Sequence, residues 1–298
     1  MITREYKDVL AGKLMLLATV VSGLIAFVIV IVLFQKSAQV LRSESLSELL
    51  LSTSWKPWKG EFGFYPFIMG TMWVTMLAMI LSAPSSLLTA IYIAEYAPNK
   101  IRGILKPVVD LLAAIPSVVY GLWGVLVVVP AIRNYVAPLA GVTSTGYTVL
   151  AGGIVLAIMV FPIVISISEE VIETVPRSVR EASMALGATR WQTERNVVIR
   201  SALPGIIAAI MLGFGRAFGE TMAVLMVVGN VPEAPRSFLD PGYPLPALIA
   251  NNYGEMASIP MYDSALMLAA LVLLVIVLLF VIASKVISAV IRRWYVIG

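Results

Sequence analysis

Six long apolar segments constrain the fold of this chain more than any other feature of its sequence. They cover residues 14–34, 67–94, 104–130, 149–168, 203–228 and 264–288. A helix needs about 20 mostly apolar residues to cross roughly 30 Å of hydrocarbon, and each segment is long enough. The apolar core of the first segment is too long for a cleavable signal peptide, which favours an uncleaved anchor. The sequence therefore predicts an all-α membrane protein with six transmembrane helices.

The composition agrees with this class and excludes several kinds of chemistry. Hydrophobic residues make up 60% of the chain and charged residues only 13%, whereas about a quarter of a soluble domain is charged. The chain has no Cys and no His, so it lacks disulfides, thiol nucleophiles, the commonest metal ligand and the usual general base. The net charge of +4 is modest. We therefore expect no metal, no cofactor and no nucleic-acid partner, and a membrane enzyme is disfavoured.

The basic residues predict an orientation, because Lys and Arg collect on the cytoplasmic side of membrane proteins. With the N-terminus inside, fourteen of them fall on the cytoplasmic side and six on the outer side. Arg216 lies within an apolar segment and is not counted. Both termini are therefore predicted to be cytoplasmic. The outer loops, residues 35–66 and 229–263, are too short to be ligand-binding domains.

The loop between the fourth and fifth segments has the pattern of two capped helices. Ser178 and Glu181 fit a capping box that would start a helix over 179–186, and Gly187 can adopt the left-handed backbone that ends one. Thr189 and Gln192 form a second such box, for a helix running to about residue 200. The small residues of the first helix would allow close approach by a partner. An ordinary, well-capped surface linker is the alternative.

This loop resembles the EAA loop of ABC importer permeases. The residues that carry the resemblance are Glu181, Ala182, Ser183 and Gly187, followed by Leu-Pro-Gly-Ile at 203–206. Ser183 stands where the family usually has Ala, and Ile-Arg at 199–200 stands where many members have an earlier Leu-Pro. The resemblance implies a type I ABC importer permease fold. It also implies that residues 178–200 form a coupling loop in which these four residues dock on a cytoplasmic ATPase.

Arg216 and Glu220 are the charged residues of the fifth apolar segment. They are four residues apart, so a continuous helix would place them on one face. A charge at mid-membrane costs at least roughly 2.5–3.5 kcal/mol and normally faces a bundle interior or a watery cavity. One interpretation is a mutually satisfied ion pair that locks helix packing. The other is an anion site, in which Arg216 offers forked donors to an oxyanion and Glu220 accepts a hydrogen bond from a protonated one.

Two motifs resemble the phosphate branch of the ABC importer permeases: AIPSVVYGLWG at 114–124 and GRAFGETMAV at 215–224. The Met-Ala-Val ending is closer to the PstC-type subunit than to its PstA-type sister. We predict that Arg216, Glu220, Ser117 and Thr221 bind the anion, which the resemblance implies is phosphate, although Ser117 could instead repair the helix after Pro116. It further implies a PstA-type second permease, an ATPase dimer and an extracytoplasmic phosphate-binding protein as partners.

The resemblance covers the second to sixth segments and is weak over residues 1–66. We therefore predict an N-terminal segment with the first transmembrane helix and an outer loop (1–66), followed by a permease core (67–298). The chain lacks a G-x-x-x-x-G-K-[ST] loop, so ATP hydrolysis is expected on a partner chain. Two alternatives stay open: an ABC permease for another oxyanion such as sulfate, molybdate or tungstate, and an ATPase-independent channel or secondary transporter.

Overall fold

The computed structural model describes residues 2–256 and 258–296, with side chains described for 9–256, 258–287 and 289. Apart from a short antiparallel hairpin, the regular structure of these residues is helical. The elements in chain order are α1 Ile2–Ser43, α2 Leu46–Leu51, β1 Trp55–Lys56, β2 Glu61–Phe62, α3 Tyr65–Tyr96, α4 Asn99–Ala114, α5 Ser117–Leu139, α6 Val149–Glu173, α7 Arg177–Ala185, α8 Arg190–Gly219, α9 Met222–Val227, α10 Leu245–Met256 and α11 Pro260–Val296.

Six of these helices are long and apolar enough to cross a membrane, which confirms the predicted number of spans. They are Val9–Ser43, Tyr65–Tyr96, Ser117–Leu139, Val149–Glu173, Arg190–Gly219 and Pro260–Ile287. Most run beyond the apolar segments read from the sequence, because a helix continues through polar turns that hydropathy does not register. The helix α8, for example, begins in the polar loop at Arg190, well before the apolar segment that starts at residue 203.

The third predicted segment, 104–130, is wrong as a single helix. Ile115 and Pro116 both have extended backbone, with ψ of 128° and 142°. Pro116 has no N–H to continue the ladder, and it disfavours helical backbone at the residue before it. The chain therefore forms a separate helix α4, and the span α5 starts only at Ser117.

The fifth predicted segment, 203–228, is also interrupted. The helix α8 ends at Gly219, and Glu220 follows with extended backbone (ψ 126°). The short helix α9 then starts at Met222. Residues 203–228 therefore contain a helix end and a second helix start, close to the charged residues that the sequence singled out.

The central span of the bundle is α6, which packs against α3 along much of its length and also contacts α8, α4 and α9. Glycines allow the close approach. A Cβ on Gly153 of α6 would lie 2.6 Å from Cδ2 of Leu77 in α3, and one on Gly213 of α8 would lie 2.8 Å from Cγ2 of Val164 in α6. The long helix α1 lies against α11.

One end of the bundle is built from aromatic side chains, and we call it the aromatic end. The ring of Trp55 in the hairpin lies 4.8 Å from that of Phe67 and 5.9 Å from that of Tyr262, between centroids. An ion pair of Lys36 with Asp263 (3.5 Å) ties α1 to α11 beside it. Residues from 35–66 and 229–263, the two predicted outer loops, meet in this region.

Candidate functional site

The two interruptions bring the motifs 114–124 and 215–224 together. The helix α9 packs on the first turns of α5, where a Cβ on Gly121 would lie 2.7 Å from Sδ of Met226 and 3.1 Å from Cα of Ala223. Tyr120, Ala223 and Val227 belong to one buried apolar cluster. Two stretches that are about 100 residues apart in the sequence therefore form one region, which contains two helix ends and two helix starts.

Arg216 lies in the last turn of α8, at the edge of this region, and its side chain is exposed. Among the side chains that the structure describes, it forms no ion pair with a carboxylate. A Cβ on Gly215 or Gly219, on either side of Arg216, would meet no atom within 4 Å. The backbone on both sides of Arg216 therefore borders space that no other described part of the chain fills.

The predicted shared helix face of Arg216 and Glu220 is wrong, and so is the ion-pair interpretation. The physical reason is that α8 ends at Gly219, one residue before Glu220. The half-buried Glu220 instead uses Oε1 to accept the backbone N–H of Ala223 at 3.3 Å. A carboxylate is favourable at this position because the first N–H groups of α9 have no partner within the helix.

The hydroxyl residues occupy the two interruptions. Ser117 is the first residue of α5 and is half-buried. The repair of the Pro116 break is made by Tyr120, whose hydroxyl donates to the carbonyl of Leu112 in α4 at 2.8 Å. Thr221 lies in the turn between α8 and α9 and donates to the carbonyl of Gly219 at 3.2 Å. The two hydroxyl residues thus lie at the two breaks on which the helices α5 and α9 begin.

The predicted coupling loop forms two helices, with one error in its caps. The helix α7 starts at Arg177, and the residue at its cap is Pro176, so the predicted capping box at Ser178 is wrong. Proline supplies a suitable fixed backbone here without any side-chain bond. The left-handed backbone of Gly187 (φ 89°) and the capping box of Thr189 with Gln192 are both confirmed.

The four residues expected to dock on an ATPase lie together on this loop. Glu181, Ala182 and Gly187 are exposed, whereas Ser183 is half-buried and its Oγ lies 2.9 Å from Oγ1 of Thr193 in α8. Sequence reasoning missed the apolar residues beside them. Leu186 is 91% exposed, and Met184 and Trp191 are also exposed. Large apolar side chains in a polar loop were the signal that could have found them.

A cluster of charged residues joins the loop to the bundle by ion pairs and hydrogen bonds. The sequence analysis did not predict this cluster. Arg180 of α7 pairs with Glu95 at the end of α3, with 2.5 Å between Nη2 and Oε1. Arg190 at the start of α8 donates to the backbone carbonyl of Glu95, lies 4.8 Å from the centre of the Tyr96 ring, and pairs with Glu194 at 3.2 Å. Glu95 and Tyr96 are far from both arginines in the sequence, so no local pattern predicts these contacts. Only the pair of Arg190 with Glu194 has the local spacing of one helix face.

A second cluster joins α4 to α6. The carboxylate of Glu169, which is 3% exposed, accepts from Arg102 at 3.2 Å and from Lys106 at 3.3 Å. Arg102 also pairs with Glu173. This end of the bundle, which we call the ion-paired end, is thus held by charges where the opposite end is held by aromatic packing.

Comparison with known proteins identifies the class of this chain. Residues 86–295 match the family described as "Binding-protein-dependent transport system inner membrane component". The chain belongs to this family of ABC importer permeases. Such a permease is a transport subunit and not an enzyme. It works with an ATPase on a separate chain and with a substrate-binding partner.

Individual relatives are similar over most of the chain. A probable ABC transporter permease protein, YqgH of Bacillus subtilis, is 40% identical over 75% of this chain and 73% of its own length. A phosphate transport system permease protein, PstC of Xylella fastidiosa, is 37% identical over 89% of this chain and 86% of its own. Among solved structures, an inward-facing MetNI methionine ABC transporter matches with a TM-score of 0.57 and 21% identity, over 74% of this chain and 93% of that one. The last similarity supports the type I fold alone.

Proposed function

We propose that this chain is the PstC-type permease subunit of an ATP-driven phosphate importer. The observation that carries the proposal is Arg216, a guanidinium in an apolar span that forms no ion pair among the described side chains and borders open space. A fixed positive charge is costly in a membrane unless it faces water or a counter-ion. An anion passing beside Arg216 supplies that counter-ion during transport, and similarity to PstC proteins supports phosphate as the anion.

Each of the four predicted residues makes a different contact with the anion. Arg216 offers two parallel N–H donors, which match the geometry of an oxyanion. The hydroxyl of Ser117 can donate to a further oxygen, and that of Thr221 can do so once it gives up its bond to the carbonyl of Gly219. Glu220 keeps one carboxylate oxygen beyond the one that accepts from Ala223. That oxygen accepts a hydrogen bond from protonated phosphate, which sulfate cannot offer, and the difference gives selectivity.

The partners follow from the two ends of the bundle. An ATPase dimer docks on Glu181, Ala182, Ser183 and Gly187 at the ion-paired end, where the exposed Leu186 adds apolar surface. This end and both termini are then cytoplasmic, in agreement with the distribution of Lys and Arg. An extracytoplasmic phosphate-binding protein docks at the aromatic end. Residues 67–298 form the permease core beside a PstA-type sister, and residues 1–66 precede it.

The test is transport by the complete complex in proteoliposomes. Phosphate-loaded binding protein should stimulate ATP hydrolysis and phosphate uptake, and sulfate, molybdate or tungstate should neither be transported nor compete. Stimulation by one of those anions and not by phosphate would replace phosphate with that anion. Uptake without ATPase would favour the channel or secondary transporter instead. A cysteine at Ala182 should crosslink to the ATPase, and no crosslink in any nucleotide state would contradict the docking site.

A further inference from the structure

The coupling loop is joined by the chain to only two spans. The helix α7 follows α6 through residues 174–176 and precedes α8 through residues 186–189. A push on α7 by a docked ATPase therefore reaches α6 and α8 directly. The span α3 is not a sequence neighbour of the loop, although it packs along α6. Any force that reaches the end of α3 from α7 must pass through side chains.

Arg180 makes one such link. Its Nη2 atom bonds Oε1 of Glu95 at 2.5 Å and the carbonyl of Ile172 at 3.0 Å, and its Nη1 atom donates to the carbonyl of Val175. The two charged side chains are only 16% and 11% exposed, so water screens their interaction less than it would a surface pair. One guanidinium thus joins α7, the end of α6 and the end of α3.

Arg190 makes a second link from the other side of the Gly187 turn. It donates to the backbone carbonyl of Glu95 and lies over the ring of Tyr96. The side chain of Glu95 therefore bonds an arginine of α7, and its backbone carbonyl accepts from an arginine of α8. The receiving segment, Tyr92–Tyr96, is a π-helical turn, a form of helix that often occurs at functional positions.

We propose that Glu95 is a positioning residue that makes the end of α3 move together with the coupling loop. Movement of the coupling loop by the ATPase then displaces three spans, α3, α6 and α8. The chain connections alone would displace only α6 and α8. This inference rests on the proposed ATPase docking at α7. It assigns to Glu95, Arg180 and Arg190 the transmission of that movement, not contact with the anion or with ATP.

The first test measures phosphate taken up per ATP hydrolysed in the complete complex. Glu95→Ala removes the side-chain acceptor for Arg180 but leaves Arg180 bonded to the carbonyls of Ile172 and Val175. The ratio of phosphate to ATP should then fall about tenfold. Glu95→Gln keeps an acceptor oxygen and should restore part of the phosphate uptake per ATP. Arg177→Ala, in the same helix α7 but exposed and outside the described ion pairs, is the matched control and should leave the ratio unchanged. An unchanged ratio in Glu95→Ala overturns the inference.

The second test keeps Glu95 intact, so its result does not depend on whether Glu95→Ala and Glu95→Gln fold. The chain has no cysteine, so spin labels can be placed at Leu88→Cys on α3 and Ser178→Cys on α7, both exposed. The distance between the labels should be the same without nucleotide and with ATP plus orthovanadate. A changed distance, while Ala182→Cys still crosslinks to the ATPase, overturns this inference alone. Loss of that crosslink in every state defeats the docking proposal and this inference with it.

Discussion

The two ends of α8 carry the same spacing, Arg-x-x-x-Glu, with opposite outcomes. At its start, Arg190 and Glu194 form an ion pair at 3.2 Å, and Glu194 is 3% exposed. At its end, Arg216 and Glu220 form no ion pair, because the helix stops at Gly219. A separation of four residues brings side chains together only where the helix continues through both of them.

The difference separates two kinds of arginine: the three that form ion pairs at the ion-paired end, and Arg216. Arg102, Arg180 and Arg190 each face a carboxylate and hold elements of the ion-paired end together. Arg216 has no such partner among the described side chains, and its neighbour Glu220 is engaged in holding the start of α9. The helix end at Gly219 therefore leaves Arg216 without the carboxylate partner that a continuous helix would have given it.

The largest effect should come from removing the arginine at the end of α8. Arg216→Ala should lower phosphate uptake by the complete complex by about 30-fold or more, because removing one partner of the charge pair that forms when the anion binds costs about 2–5 kcal/mol. Its thermal stability in detergent should not fall, since no described carboxylate loses a partner. Arg216→Lys keeps the positive charge but loses the two parallel N–H donors of the guanidinium, so it should recover only part of the uptake. A stability loss together with full uptake would assign Arg216 a structural role.

A smaller effect, of the opposite kind, is expected at the start of α8. Glu194→Ala removes the buried partner of Arg190 and should lower the free energy of unfolding by about 1–3 kcal/mol. Thermal unfolding of the purified protein measures this directly. Uptake per folded transporter should change less than in Arg216→Ala. An uptake loss as large as that of Arg216→Ala, with stability unchanged, would contradict the division into two kinds of arginine.

The smallest effect on stability is expected from Glu220→Gln. The amide oxygen can still accept the N–H of Ala223, so the free energy of unfolding should change by less than about 0.5 kcal/mol. An amide accepts a hydrogen bond from protonated phosphate less strongly than a carboxylate does. The preference for phosphate over sulfate in a competition assay should therefore become smaller. Unchanged discrimination would remove Glu220 from the binding site and leave it as a cap for α9.

Much of the architecture could be predicted from the sequence, because a membrane span needs a long apolar segment and six such segments are visible. The two interruptions could not be placed in the same way. Pro116 is compatible with either a bent or a broken helix, and nothing local in Gly-Glu-Thr at 219–221 requires a break. The packing of α9 against α5 through Gly121, a contact across about 100 residues, accompanies the second break and is invisible to local patterns.

The candidate site shows the same limit. Arg216, Glu220, Ser117 and Thr221 were found from their chemistry and their motifs, and the structure places them at the two interruptions. Their arrangement was not predicted, because it depends on where α8 ends. The link between Arg180 and Glu95 joins residues 85 positions apart, and neither residue stands out in its own segment.

The central claim is that the open space beside Arg216 is a water-filled path for the anion, and Gly219 offers the most direct test of it. A Cβ at Gly219 would meet no atom from elsewhere in the described chain within 4 Å, and the chain has no cysteine of its own. In the complete transporter, Gly219→Cys should react with a charged, water-soluble thiol reagent, and phosphate should slow the reaction. A cysteine that reacts only after denaturation, in every nucleotide state, would show that lipid or protein fills this space and would contradict the account.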